Sequence, residues 1–456
     1  MLKILPVILA IFLFLTNFQI FNRNYDIPDF SAAPVENKNP RNHLTQDSTN
    51  RNEVTAQILP VSEAAASKNL TVNHTEEKIS AEEVKPAELQ EKIFRITWKI
   101  VPRAVKYKIS CEGRNYVSYT NGVEILVKDV NSELLISALD FDNRVVENDV
   151  VLMSIEENPP APLTTTEFDK MKLSPLYIVY SWIPTMNAHH YEIQLFKDGE
   201  IFRDYITDYH PKDDNFDYYD EEPLLEEGEY FWRIRGIASS GAVLTEWSEQ
   251  TPGNTFKVEK PAKFCALGDS ITHGGGSISV PPSTVIYNWQ NYCDFPIKNL
   301  GKSGDTTLKM LERFERDIVS FNPEILFIMA GVNDYRGDVL AWDSVENLAA
   351  IRDKCESYGI TPVFITPTPL NPDLIYKIRF IHYPPYDWQD QRQYICDWMR
   401  RQKYCIDIAN AFSDSNGYLR ADLALDGLHP DAEGKEIIGR AVENWLNNYL
   451  GAKEDF

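Results

Sequence analysis

Cysteine is scarce in this chain, six in 456 residues with five of them beyond residue 260, and the spacing fits no disulfide framework. Cys265 lies inside an apolar run and reads as a buried free thiol, while a pairing of Cys396 with Cys405 stays open for an exported protein. No cysteine or histidine spacing fits a metal site, so neither metal nor cofactor is expected. Gly301-Lys302-Ser303 resembles the end of a nucleotide-binding loop, but that motif needs a glycine where Pro296 stands. Positive charge is also short: 45 Lys and Arg against 68 Asp and Glu leave a formal charge of -23. Such a surface repels nucleic acid and anionic membranes, and both are excluded as partners.

Long apolar runs are missing except at the start, where Met1-Leu2-Lys3 precedes Ile4 to Leu15 and further apolar residues continue to Phe21. A basic start before an apolar stretch reads as an export signal over residues 1–24. No small-x-small site follows closely and no lipid-attachment cysteine is present, so a membrane tether through residues 4–21 is the alternative. Either way the bulk of the chain is expected outside the cytoplasm, secreted or anchored at the cell surface. Residues 25–90, rich in Asn, Ser, Thr, Glu, Lys and Ala, lack a sustained apolar period and read as a disordered linker.

Short aromatic and β-branched runs begin near Lys92, and they repeat. Trp98, Ala104, Tyr107 and Ile109 return as Trp182, Ala188, Tyr191 and Ile193, an offset of 84 residues, which is the length of a β-sandwich. The second copy adds the alternating strand Gly228 to Arg235 and a closing segment Glu246-Trp247-Ser248-Glu249; in the first copy Glu133 to Ser137 takes the equivalent place. The Trp-Ala-Tyr-Ile pattern resembles fibronectin type III modules. The resemblance implies two all-β sandwiches, over 91–157 and 158–259, with a linker at Glu156 to Pro160.

The last segment, 260–456, starts at Lys260-Pro261 and reads as a domain able to stand alone. Three apolar runs, Lys263 to Leu267, Glu324 to Ala330 and Thr361 to Thr366, alternate with helical stretches around Leu308 to Phe321 and Ser344 to Tyr358. That alternation is the pattern of a doubly wound parallel sheet, whose ligands bind beyond the carboxyl ends of the strands. Four short segments carry the chemistry: Gly268-Asp269-Ser270-Ile271, Gly301-Lys302-Ser303-Gly304-Asp305, Gly331-Val332-Asn333-Asp334 and Asp426-Gly427-Leu428-His429. A serine attacks an ester only when a base takes its proton and donors hold the oxyanion, and these segments offer a candidate for each part. Read alone, Asp426 to Pro430 is equally a turn before a helix from Ala432 to Leu450 with Asp431 as N-cap, and Asn333-Asp334 a strand-end turn.

Taken together and in this order, the four segments resemble the blocks of the SGNH (GDSL-type) hydrolases, with Ile271 where the older name implies Leu. The resemblance covers residues 262 to about 452 and implies a three-layer α/β, flavodoxin-like domain. It also implies Ser270 as nucleophile, His429 as base, Asp426 as its orienting partner, and an oxyanion hole of the Ser270 and Gly304 amides with the Asn333 side chain. Candidates for substrate contact are His273, just past the nucleophile, and His382, Tyr386 and Trp388 in the aromatic stretch 376–388. The expected activity is that of an exported serine carboxylester hydrolase removing acetyl or other small acyl groups from a glycan or cell-surface polymer. Alternatives are a lysophospholipase or lipid esterase, an acyltransferase, or, from another class, a non-catalytic adhesion or glycan-binding protein.

Overall fold

The structure is a computed structural model, and it describes residues 90–131, 133–207, 216–277, 280–337, 339–378 and 383–454. The export segment expected at 1–24, the linker at 25–90 apart from its last residue, and His382 lie outside the described residues. Among the described residues no helix is long and apolar enough to cross a membrane.

Residues 92–157 form strands β1 (Lys92–Trp98), β2 (Lys106–Cys111), β3 (Arg114–Ser118), β4 (Gly122–Val127), β5 (Leu135–Leu139), β6 (Val145–Glu147) and β7 (Leu152–Glu157). They make two antiparallel sheets, β4-β1-β7 and β3-β2-β5-β6. Alternating residues of both sheets, among them Ile96, Trp98, Tyr107, Ile109, Ile125 and Val127, meet in one buried cluster, as facing sheets require. The next region repeats the plan with β8 (Leu163–Thr164), β9 (Val179–Ile183), β10 (His190–Lys197), β11 (Glu200–Ile206), β12 (Asp217–Tyr219), β13 (Gly228–Ile237) and β14 (Thr255–Val258). Its sheets are β12-β9-β8 and β11-β10-β13-β14. One difference separates the copies: the strand beside β1 is β7, which follows the others in the chain, whereas the strand beside β9 is β8, which precedes them.

The 84-residue offset holds in the packing. Trp98 lies against Tyr107 and Trp182 against Tyr191, each pair with ring centroids 5.0 Å apart. The Tyr107 hydroxyl accepts from the Val101 amide (2.9 Å) and the Tyr191 hydroxyl from the equivalent Thr185 amide (2.7 Å). The closing strand of the second copy is β14, not the segment Glu246 to Glu249. There Trp247 is held on the outside, with the guanidinium groups of Arg233 and Arg235 each 4.4 Å from its ring, a cation–π contact that serves the sheet surface and not its edge.

The third region holds a five-stranded sheet of β15 (Phe264–Gly268), β16 (Ile297–Asn299), β17 (Ile325–Met329), β18 (Thr361–Ile365) and β19 (Cys405–Ile406). All neighbours are parallel and the order is β16-β15-β17-β18-β19, the doubly wound order of flavodoxin-like folds. Strands β15 and β17 are wholly buried, as expected with helices on both faces. The helix read at Leu308 to Phe321 is broken into Thr307–Glu312, Phe314–Asp317 and a 3-10 turn at Val319–Phe321. Arg313, at the first break, turns inward to Asp305 and Asp317.

The second sandwich and the parallel sheet share one continuous apolar core, which runs from Phe168 and Trp182 through Leu267 and Phe327 to Leu446. The segment between β8 and β9 covers the free edge of β16: the Leu176 amide donates to Asn299 O (2.8 Å) and buried Lys298 donates through Nζ to Ser174 Oγ (3.2 Å). Tyr177 reaches Asp317 (2.6 Å), and the Ser181 and Ser283 hydroxyls pair at 2.8 Å. Cutting the chain before Glu259 therefore strips apolar surface and opens a sheet edge, contrary to the expectation that residues 260–456 stand alone. A chain beginning at Glu259 is expected to bind the dye ANS more strongly than the full-length protein and to lose near-ultraviolet circular dichroism from its aromatic core.

Candidate active site

Strand β15 delivers Ser270 through a turn that admits no side chain at its hinge. A Cβ on Gly268 would stand 2.2 Å from Thr272 Oγ1 and 2.7 Å from Met329 O. Asp269 then caps the short helix Ser270–His273, its Oδ1 accepting from the Ile271 amide (2.9 Å). Ser270 Oγ lies 2.9 Å from His429 Nε2, and His429 Nδ1 lies 2.7 Å from Asp426 Oδ2. The other carboxylate oxygen of Asp426, a residue only 1% exposed, accepts from the Leu428 (2.8 Å) and His429 (2.7 Å) amides. A carboxylate held by three donors fixes the imidazole with its proton on Nδ1, which leaves the Nε2 lone pair to face the serine hydroxyl.

The loop carrying Asp426 and His429 is closed at its base by the Asp431 amide donating to Leu423 O (2.7 Å). Its tip is pinned by the Asn371 amide on Gly427 O (2.8 Å). Gly427 is left-handed (φ 74°), and a Cβ there would meet Asn371 O at 2.5 Å, so this turn requires glycine. Asp431 also caps the helix Ala432–Glu454, its Oδ1 accepting from the Gly434 amide (3.2 Å).

Because β16 and β17 flank β15, the loops that follow them bracket Ser270 at the carboxyl edge of the sheet. Gly304 lies in the first loop and Asn333 opens the second, in the helix Val332–Arg336. Asn333 Nδ2 donates to Asp305 O (2.9 Å) and its Oδ1 accepts from Arg336 Nη2 (3.2 Å), which sets the amide with nitrogen toward the Gly304 loop. Asp334, next in sequence and fully buried, accepts from the Thr307 amide (3.0 Å) and the Ser344 hydroxyl (3.1 Å). Ser270, the Gly304 and Asn333 loops and the separate loop carrying His429 thus meet at the carboxyl edge of one sheet, and they are the types of group that acyl transfer through serine requires.

His273 is placed differently from a pocket residue. It is buried, with Nε2 2.9 Å from Tyr177 O and Nδ1 2.9 Å from Ser303 Oγ, so both ring nitrogens are engaged inside the fold. Burial pushes its pKa down to about 4. Trp388 is 4% exposed and packs near Tyr335 and Tyr418 (centroids 6.3 and 6.0 Å), which leaves no ring face for a sugar; Tyr386 is 98% exposed. Among the described residues no group of three or more His, Cys, Asp or Glu side chains is placed to hold a metal ion.

Several residues behind the site escape a reading of motifs. Arg313 joins Asp305 (2.6 Å), Asp317 (3.1 Å) and Gly268 O (3.3 Å); the only sequence signal is its i,i+4 spacing to Asp317. Lys435 is fully buried and donates to Ile271 O (2.6 Å). Burial lowers the Lys435 amine and raises the Asp269 carboxyl, each to about 7.

Residues 266–437 match the GDSL-like Lipase/Acylhydrolase family, and this part of the chain is a hydrolase domain of that type. No curated protein matches the chain. Among solved structures, a lipase/acylhydrolase from Enterococcus faecalis is 21% identical, over 41% of this chain and 96% of that one, with a TM-score of 0.34. A GDSL-like lipase from Bacteroides thetaiotaomicron is 18% identical over 41% and 89%, with a TM-score of 0.33. A catalytic mutant of an acetylxylan esterase from Geobacillus stearothermophilus is 19% identical over 41% and 94%, with a TM-score of 0.31.

His273 makes stability depend on pH. With its folded pKa near 4 against about 6.5 unfolded, the unfolded chain binds a proton in this window that the folded chain refuses. Stability is thus complete above about pH 6.5 and lost as pH falls toward 4, by about 3 kcal/mol for this group. Denaturant titrations across that range should show the loss, and His273→Gln should flatten the corresponding part of the slope.

Proposed function

We propose that the protein is a serine ester hydrolase in which Ser270 is the nucleophile, His429 the general base and acid, and Asp426 the residue that orients His429. The observation that carries this reading is the unbroken chain of contacts, 2.9 Å from Ser270 Oγ to His429 Nε2 and 2.7 Å from His429 Nδ1 to Asp426 Oδ2. His429 Nε2 takes the hydroxyl proton as Ser270 Oγ attacks the ester carbonyl, and then returns it to the leaving alcohol. The tetrahedral oxyanion is received by the Ser270 and Gly304 amides and by Asn333 Nδ2. Water, activated by the same histidine, releases the acid and restores the serine.

For substrate, we infer a small acyl group, acetyl first, on a glycan or other surface polymer, and a chain exported by its first residues. Two features support the carrier. The helix Pro372–Lys377, whose Asn371 cap bonds the tip of the catalytic loop, presents Tyr376 to solvent, and exposed Tyr383 stands edge-on to it at 6.4 Å; exposed aromatic faces of this kind stack on sugar rings. The two sandwiches, which we read as fibronectin type III-like, suit work on a polymer, and the charge of -23 disfavours polyanionic substrates.

The purified protein is expected to hydrolyse p-nitrophenyl acetate, and Ser270→Ala to abolish the reaction; unchanged turnover in that variant would refute the mechanism. Rates over a series of acyl lengths are expected to fall sharply beyond butyrate, and a rise would point to a lipid esterase instead. Asn333→Ala should lower kcat by two to three decades, about 3 to 4 kcal/mol for one oxyanion donor, with little change in KM.

A further inference from the structure

We propose that Arg103, in the first sandwich, is a positioning residue for the reaction proposed at Ser270, because it ties shut the base of the loop that carries Asp426 and His429. Its guanidinium donates through Nη1 to Asp422 O (2.6 Å) and Asp431 Oδ2 (2.9 Å), and through Nη2 to Ala421 O (2.8 Å). These acceptors lie on both sides of the loop base, which the Asp431 amide closes onto Leu423 O, and the catalytic pair occupies the tip between them. A planar fork with several donors suits such a bridge, and a lysine ammonium keeps only part of it.

A second observation shows that Arg103 is not there for the turn it occupies. Val101 to Ala104 form a tight turn, closed by the Ala104 amide on Val101 O, and Arg103 sits in it with φ 69°, a left-handed conformation unfavourable for a long side chain. The equivalent turn of the second copy, Thr185 to Ala188, is closed in the same way and carries Asn187 at φ 65°, a residue that tolerates this conformation. The first copy therefore holds a strained arginine where its own repeat shows that asparagine serves, and the difference is the contact with the catalytic loop. The first sandwich thus belongs to the catalytic apparatus and is more than a spacer.

The comparison between copies supplies the test, since Arg103→Asn relieves the turn while deleting the tie. On p-nitrophenyl acetate, with the full-length protein, Arg103→Asn is expected to lower kcat roughly tenfold, as small displacements of a catalytic group do. KM and Tm should stay near their starting values, Arg103→Lys should recover part of kcat, and Arg114→Ala, elsewhere on the same sandwich, should leave kcat unchanged. An unchanged kcat in Arg103→Asn beside a dead Ser270→Ala would overturn the proposal. So would a fall in kcat matched by a fall in Tm that Arg103→Lys fails to relieve, because that is the signature of simple destabilisation. The proposal rests on the ester-hydrolase reading; turnover persisting in Ser270→Ala would remove that reading first, and this one with it.

Discussion

Much of the site geometry hangs on one buried guanidinium. Arg313 binds Gly268 O at the end of β15, Asp305 in the loop after β16, and Asp317 on its own helical segment. Asp305 O in turn holds the Asn333 amide, and Asp317 accepts from Tyr177 of the second sandwich and from Arg316. Two arginines thus face two carboxylates, with a phenol and a carbonyl completing the set, so the charges are balanced and hydrogen-bonded; Arg313, Asp305 and Asp317 are buried, and Arg316 closes the cluster from the half-exposed side. Removing Arg313 alone would leave Asp305 and Asp317 poorly compensated, and breaking a buried pair in this way costs about 3 to 5 kcal/mol. The Ser270 strand, the Gly304 loop and the second sandwich share this one fixture, and their mutual placement follows from it.

The parts of the fold that a reader of the sequence can see are those with a local cause. Strands β15, β17 and β18 announce themselves as apolar runs ending in glycine or proline, and the Trp98 to Ile109 pattern repeats because the same tryptophan-on-tyrosine packing recurs. Strands β16 and β19, with three and two paired residues, carry no run long enough to notice. The break at Arg313 is hidden because helical spacing on either side continues through it. His273 and Trp388 stand beside suggestive motifs, but the structure buries both, and burial depends on what folds back over them. Ser270, Asp426 and His429 were legible as types in order, whereas Arg103 lies more than 300 residues from its partners and only the folded chain brings it to them.

The two sandwiches, alike in sequence and in packing, are attached by different physics. The second merges with the parallel sheet in one apolar core and covers the edge of β16. The first keeps its own core and is tied to the rest by polar groups: Arg103, Arg95 donating to Ala161 O, and Glu124, itself paired with Arg95 at 2.8 Å, accepting from the Met186 amide at 2.8 Å. Glu124 is buried, and desolvation raises its pKa despite the arginine beside it, so this junction contains a carboxylate that water would stabilise better.

Separate cores also govern how heat enters the molecule. The apolar cluster of the first sandwich, from Phe94 to Ala138, is distinct from the one that extends from Phe168 to Leu446, and a cooperative unit in calorimetry is a core, not a chain. The protein is therefore expected to absorb heat in two events, so that a van't Hoff analysis treating it as a single transition returns less than the calorimetric enthalpy. The smaller core, joined by polar contacts, supplies one event. The larger supplies the other, in which the second sandwich and the hydrolase melt together even though the chain gives them different architectures.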